Sequence, residues 1–409
     1  MQSQEHSYDN LPEAAPPGER TSNIDPREQP RQQEYTYQTY EEGYTGLNAR
    51  DIWSEGEKLR PEPKSEKSVN GPLSLIVLLC AAFIAGSFFH IGFGWLNWLI
   101  VIVLAFVGAG ALIANWRVVT IPMPTRTFQV MEHARLVINN GAGRVAIRRG
   151  EEGVISVAGT KRASGIGIDP ERMQVNYDQR GDTLNISSLV GWSMLQFGLR
   201  AVDFEITVPT SCDVQLDNGS GRVAVQGTNG TVRVRTGSGS IQAHDLQGQI
   251  AMKTGSGHIE SSNLQGQIDL RTGSSRIEAH NLQGQISLRT GSSRIEASNL
   301  RGQVTAQTGS GRIDVRQAEL NGNSLLKTGS SSITFEGSLD PQGAHNFTTG
   351  SGGINVILPT DASFNLDAKT GSGGVKNEFG NKEVGNQPRA QLRLRSGSGG
   401  IRIARGGMY

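Results

Sequence analysis

From residue 120 onward, apolar and polar positions alternate in short runs that recur at a fixed interval. Thr-Gly-Ser stands at Thr236, Thr254, Thr272, Thr290 and Thr308, a strict 18-residue period, and Asn218-Gly-Ser-Gly lies one period upstream. Looser copies follow at Thr328, Thr349, Thr370 and Ser396, at intervals of 20, 21, 21 and 26 residues. One unit shows what the period builds. In Gln285-Ile-Ser-Leu-Arg289, Ile286 and Leu288 share one side; Thr290-Gly-Ser-Ser293 turns the chain; Arg294-Ile-Glu-Ala297 alternates again. A period of two is the strand pattern, so each coil is predicted to hold two short strands. Leu282 and Leu300 add one apolar residue at a second corner, beside Gly284 and Gly302, whose missing Cβ permits a tight bend. No coil can bury its inward side alone. Coils are therefore expected to stack, like strand on like strand, at ~4.8 Å spacing.

The predicted fold is an all-β, single-chain β-solenoid. Its repeats are placed at 211–405, with turns at Thr236-Gly237, Thr254-Gly255, Thr272-Gly273, Thr290-Gly291 and Thr308-Gly309. Right-handed winding is the default for parallel crossovers. A left-handed hexapeptide helix needs an aliphatic residue every six positions, whereas here the order is Ile277, Leu282, Ile286, Ile295. No Phe, Tyr or Trp occurs from Cys212 to Thr334, so the core between the sheets is expected to be thin. Upstream, irregular alternating runs at Arg135–Asn139, Val145–Ile147, Val154–Val157 and Phe204–Val208 predict atypical capping coils over 118–210.

The segment ahead of the solenoid reads differently. From Leu73 to Trp116 there are 44 residues without Asp, Glu, Lys or Arg. As one helix they reach ~66 Å, about twice a hydrocarbon core of ~30 Å. Gly92, Gly94 and Asn97 can turn the chain, and Trp95 and Trp98 suit the membrane interface. Two spans are predicted, roughly 73–91 and 96–115, within a membrane unit at 71–117. Lys58, Arg60, Lys64 and Lys67 precede the first span, Arg117 and Arg126 follow the second, and the loop between has neither Lys nor Arg. The positive-inside rule then puts both ends, and the solenoid, in the cytoplasm. Residues 1–70 lack any apolar period and are expected to be a disordered acidic tail.

Composition changes this picture little. Gly is 53 of 409 residues and Pro 15, which favours a turn-rich β protein. A net charge of +1 conceals a tail at −6 and a remainder at +7. Two cysteines, Cys80 and Cys212, exclude a disulfide scaffold and a Cys-rich zinc site.

Outward positions form charged ladders. Arg276, Arg294 and Arg312 follow His258 on one strand, beside Glu260, Glu278, Glu296 and Asp314; Lys253, Arg271 and Arg289 line the other. Two readings compete: a solvated face whose opposite charges offset one another, and a polar docking surface for a protein or wall polymer. An enzyme needs unlike groups converging on one point, which ladders of one residue type do not supply. Asp213 and Asp217 are the one conceivable carboxylate site. Thr-Gly-Ser-Gly-x-Ile places an aliphatic where a calcium β-roll needs Asp, so no metal is expected. The threonine ladder suits corner hydrogen bonding better than a flat ice-binding face. No helix follows the Gly-rich turns to receive phosphate, so no nucleotide cofactor is expected, and interleaved acids argue against nucleic acid.

Thr236-Gly-Ser-Gly-Ser-Ile241, Thr254-Gly-Ser-Gly-His-Ile259 and Thr308-Gly-Ser-Gly-Arg-Ile313, with Val208-Pro209 ahead of Asn218-Gly-Ser-Gly, resemble the repeats of a bacterial putative-adhesin family, domains of unknown function. The resemblance covers about two thirds of the chain. It implies a β-strand-repeat fold and adhesion, and brings no catalytic residues. The hairpin is more faintly similar to membrane modules of cell-envelope stress-response proteins. Together these readings lead to a non-enzymatic binding or scaffolding protein of the bacterial envelope, anchored in the bilayer through Leu73–Trp116. The alternatives are a surface adhesin with the solenoid outside, a scaffold assembling end to end, and a polysaccharide-active β-helix.

Overall fold

The structure is a computed structural model that describes residues 118–131, 133–166, 171, 173–189 and 197–406. The expected tail and membrane hairpin lie outside these residues. No helix among the described residues is long and apolar enough to cross a membrane. The chain divides into Met1–Lys67 and Ser68–Tyr409, and every described residue belongs to the second unit.

The regular elements of the described residues are all β-strands. Ile241–Thr254, Ile259–Thr272, Ile277–Thr290 and Ile295–Thr308 lie side by side in parallel, each residue opposite the one 18 positions on. This register is the predicted solenoid. Each 14-residue segment bends once, into an isoleucine strand that leaves one Thr-Gly-Ser turn and a threonine strand that runs into the next. The bend has two parts. Asn263, Asn281 and Asn299 take φ of 55°, 56° and 53°, the left-handed region that Asn tolerates, and Gly266 and Gly284 take φ of 121°. Between them Leu264, Leu282 and Leu300 turn inward and are buried. The asparagines also bond to one another along the stack, Asn281 Nδ2 donating to Asn263 Oδ1 at 2.7 Å and Asn299 Nδ2 to Asn281 Oδ1 at 3.1 Å.

The inward residues are those the alternation predicts. Ile277, Ala279, Leu282, Ile286 and Leu288 are at most 2% exposed. Burial of an Ile or Leu side chain is worth about 1.5–3 kcal/mol, so a coil that supplies four of them gains most of its stability from its two neighbours. Aromatic filling is confined to the ends: Phe204 at one, and at the other Phe335 against Phe347, ring centroids 5.2 Å apart, and Phe364 edge-on to Phe379.

At both ends the order of the chain departs from the order of the stack. Ala134–Ala142 pairs in parallel with Cys212–Ser220 on one side and with Thr183–Leu189 on the other. The outermost coil at this end, Thr183–Leu189 with Phe197–Val208, therefore follows in sequence the coil it covers. Gln174–Arg180 and Val154–Ile166 cover it with antiparallel pairings, and Val119–Pro122 and Arg126–Gln129 extend the cover. At the other end Ala390–Ser396 is inserted between Ala344–Thr349 and Phe364–Thr370, and Ile401–Gly406 between Ile354–Pro359 and Val375–Asn377. The last coil of the sequence is the penultimate coil of the stack.

Candidate functional site

The Thr-Gly-Ser turns are structural. Thr236, Thr254, Thr272, Thr290 and Thr308 are buried, 1–7% exposed. Their hydroxyls reach across to the preceding turn: Thr254 Oγ1 donates to Gly239 O at 2.8 Å, Thr272 to Gly257 O at 2.8 Å, Thr290 to Ser275 O at 2.8 Å and Thr308 to Ser293 O at 2.9 Å. Where the turn ends in glycine the same oxygen also accepts the N–H three residues on, as Gly257 N to Thr254 Oγ1 at 3.1 Å and Gly311 N to Thr308 Oγ1 at 3.0 Å. Corner hydrogen bonding, the expected role of this ladder, is what it performs. The glycine after each Thr is required by its neighbour, since a Cβ on Gly273 would stand 2.3 Å from Gly255 O.

The two faces carry different charge arrangements. Among the five coils from Asn229 to Arg316, the isoleucine face presents Arg276, Arg294, Arg312 and Arg316 against Glu260, Glu278, Glu296 and Asp314, net zero. Neutralisation is local. Arg276 Nη1 meets Glu278 Oε1 at 2.7 Å, Arg294 Nη1 meets Glu296 Oε1 at 2.9 Å, Arg316 Nη2 meets Asp314 Oδ2 at 2.8 Å, and Gln242 Nε2 donates to Glu260 Oε2 at 2.9 Å. Hydrogen bonding first and attraction second hold the Arg294 and Arg316 guanidinium groups above their ordinary pKa, as Glu296 and Asp314 do the accepting.

On the threonine face of the same coils Arg233, Arg235, Lys253, Arg271 and Arg289 stand against Asp269 alone, net +4. Arg271 Nη2 is 2.7 Å from Asp269 Oδ2, which raises the arginine pKa through the hydrogen bond and then the charge. The other four form no ion pair among the described residues, and Arg289 Nε is shielded without a partner. The register places Arg235, Lys253, Arg271 and Arg289 in one row, one per coil. Like charges ~5 Å apart cost about 0.8 kcal/mol per pair even in water. The expected offset by opposite charges is met at three of the four arginines of the isoleucine face and at only one of the five cations here. Arg235, Lys253 and Arg271 of the row line an open groove together with Asp217, Asp269 and the turn glycines Gly219, Gly237 and Gly255.

The carboxylates Asp213 and Asp217 do not form a pair. They sit four residues apart on Cys212–Ser220, hence about 13 Å apart along an extended strand. Asp213 instead lies near two residues that sequence spacing does not join to it: His133 Nδ1 is 2.9 Å from Ser211 Oγ, and His133 Nε2 is 3.9 Å from Asp213 Oδ2. Serine, histidine and aspartate are the residue types of a hydrolase. Here the ring is 66% exposed, its gap to the carboxylate exceeds hydrogen-bonding reach, and Asp213 Oδ1 already accepts the Thr231 N–H at 2.7 Å. Cys212 is buried, and desolvation followed by the nearby Asp213 charge pushes its thiol up to about 12, so it is inert as a nucleophile. No group of three or more His, Cys, Asp or Glu among the described residues is placed to hold a metal ion.

The sequence profile described as Toastrack DUF4097 matches residues 133–345, a little over half of the chain. Several solved structures are similar. A "putative adhesin" from Bacteroides fragilis is 14% identical, covering 70% of this chain and 97% of that one, with a TM-score of 0.28. A "putative lipid binding protein" from Parabacteroides distasonis is 12% identical over 68% of this chain and 96% of that one, TM-score 0.30. A "putative cell adhesion protein" from Clostridium sporogenes is 14% identical over 70% of this chain and 100% of that one, TM-score 0.19. No curated protein sequence matches the chain.

Proposed function

Because the chain belongs to the Toastrack DUF4097 family, we propose that it is a membrane-anchored, non-enzymatic binding or scaffolding protein of the bacterial envelope whose solenoid presents its ladders to a partner. The observation that carries this reading is the in-register repetition of outward side chains, Arg235, Lys253, Arg271 and Arg289 above all, on an open sheet face with a shallow groove. Such a surface offers many equivalent weak contacts to an extended partner. Catalysis needs convergence, and among the described residues the cluster of Ser211, His133 and Asp213, which has the right residue types, lies open to water.

Binding is favoured over end-to-end assembly by the edges of the stack. One end is covered by antiparallel strands. The other ends on Phe364–Thr370, which Glu383–Val384 covers at Phe364 and Asn365, and on the three-residue strand Val375–Asn377; these edges carry Lys369 and Lys376, and edge lysines resist pairing.

Anchoring through Leu73–Trp116 with a cytoplasmic solenoid rests on the hydropathy and the basic flanks. The test places single cysteines at Ser3 and at Ser292, an exposed turn residue, in a Cys80→Ala, Cys212→Ala background, and treats intact cells with an impermeant maleimide. Protection of both, with labelling after lysis and co-sedimentation with membranes, is the expected result. Labelling at 292 alone would put the solenoid outside and make the protein an adhesin; recovery in the soluble fraction would remove the anchor.

A further inference from the structure

The unpaired cations of the threonine face call for an anionic partner, and we propose that they dock the solenoid on the anionic lipid headgroups of the membrane to which the chain is tethered. The inference rests on the anchored reading above and adds to it a surface, a partner and an orientation. Arg233, Arg235, Lys253 and Arg289 reach no carboxylate within ion-pair distance among the described residues, although the isoleucine face of the same coils pairs three of its four arginines, Arg276, Arg294 and Arg316, two residues away. The row runs along the solenoid axis for about 14 Å, three steps of the ~4.8 Å strand spacing. Nothing in the local fold requires it: the positions are outward, and the neighbouring coils carry Asp217 and Gln307 at the same register.

Three features favour a bilayer over a soluble polymer. The face is an open sheet with only a shallow groove, so it contacts a plane more fully than a thread. No aromatic residue occurs from Cys212 to Thr334, which removes the ring platforms that sugars and bases stack on and leaves charge as the attraction. Lipids also diffuse laterally, so headgroups can settle opposite cations at any pitch, whereas a polymer must match the coil repeat. Only a few residues separate the predicted second span, ending near 115, from the first strand Val119–Pro122, so the anchored reading keeps the solenoid near the surface this face would bind. Asp269 tempers the patch at one position, where it holds Arg271.

The full chain, reconstituted in bilayers of phosphatidylcholine with or without phosphatidylglycerol, tests this. A donor fluorophore on a single cysteine at Ala251 (threonine face) or Ser262 (isoleucine face), in the Cys80→Ala, Cys212→Ala background, reports energy transfer to a headgroup acceptor. Transfer at 251 should rise only in the anionic bilayer, exceed transfer at 262, and collapse between 0.1 M and 1 M salt as the screening length falls from about 10 Å to about 3 Å. Changing Arg233, Arg235, Lys253 and Arg289 to Gln should lower the docked-to-free ratio about fivefold per cation removed. The same change at Arg276, Arg294, Arg312 and Arg316 also removes four positive charges and should leave the ratio unaltered. Equal transfer in neutral bilayers, or equal loss in the two variants, would overturn the proposal. So would inorganic polyphosphate displacing the face at phosphate concentrations below those of the lipid, which would make it a polymer site. A chain that fails to float with neutral vesicles defeats the anchor; one that floats while position 251 stays silent defeats only the docking.

Discussion

In the middle of the solenoid each coil repeats the one before it, while at both ends the coils are out of chain order. Between Ile241 and Thr308 every residue sits opposite its counterpart 18 positions away, and no contact depends on a distant part of the sequence. At the ends a coil is slid between two others: Ala134–Ala142 between strands that begin at Thr183 and Cys212, and Ala390–Ser396 between strands that begin at Ala344 and Phe364. Stacking is a nearest-neighbour property where the repeat is regular. Closing a stack is a non-local one, because an exposed edge must be covered by chain that comes from elsewhere.

Deletions expose this contrast most strongly. Removal of Thr272–Arg289 takes out one period and joins equivalent strands, so the protein should still fold and melt cooperatively with a modestly lower Tm. Removal of Ala390–Gly406 leaves Phe364–Asn377 without the strands it pairs with and should unfold everything beyond Ile354–Pro359, a strand that keeps its pairing to Ile333–Leu339; amide protection past Pro359 should be lost. Equal tolerance of both deletions would mean that the inserted coil is not what closes the stack.

Within the middle, Ile286→Asp places a charge between the sheets without a partner and should cost several kcal/mol, enough to unfold the central coils. Gln285→Asp, one residue earlier and exposed, should change stability by no more than about 0.5 kcal/mol, measured by denaturant titration. Comparable losses would contradict the alternation.

The hydroxyl staples predict a smaller effect. Thr290→Val keeps the shape but removes the donor to Ser275 O, leaving a shielded carbonyl, at about 1–3 kcal/mol. Thr290→Ser should recover most of this, as Ser396 already bonds Gly352 O at 2.9 Å in the same role.

Acid should separate the regions more gently. His345, buried near the C-terminal end, has its pKa held below the usual 6.5 by desolvation, against the pull of Asp340. The folded form thus binds fewer protons than the unfolded one, and stability rises with pH across the interval between the depressed value and 6.5. Its contribution is intact above about 6.5 and is lost as pH falls below it. Hydrogen exchange at Ala344–Thr349 should accelerate on acidification before that at Ile277–Thr290, and His345→Gln should abolish the difference.

Much of the solenoid was legible in the sequence because its determinants are local. Inward Ile286 and Leu288, corner Leu282 beside Gly284, and turn Thr290 with Gly291 could all be read from one period, since side-chain direction in a strand follows from alternation alone. The left-handed Asn281 was missed although Asn at a corner was the available signal. What only the tertiary structure decided is the arrangement that depends on register between distant segments. His133, Ser211 and Asp213 meet because Ala134 lies opposite Cys212, 78 residues away. The charge ladders show the division most directly. Their residue types were plain in the sequence, but whether an arginine finds a carboxylate depends on where its strand neighbours and its own side chain point. Arg276 meets Glu278 two residues along, while Lys253, stacked between Arg235 and Arg271, meets only more positive charge.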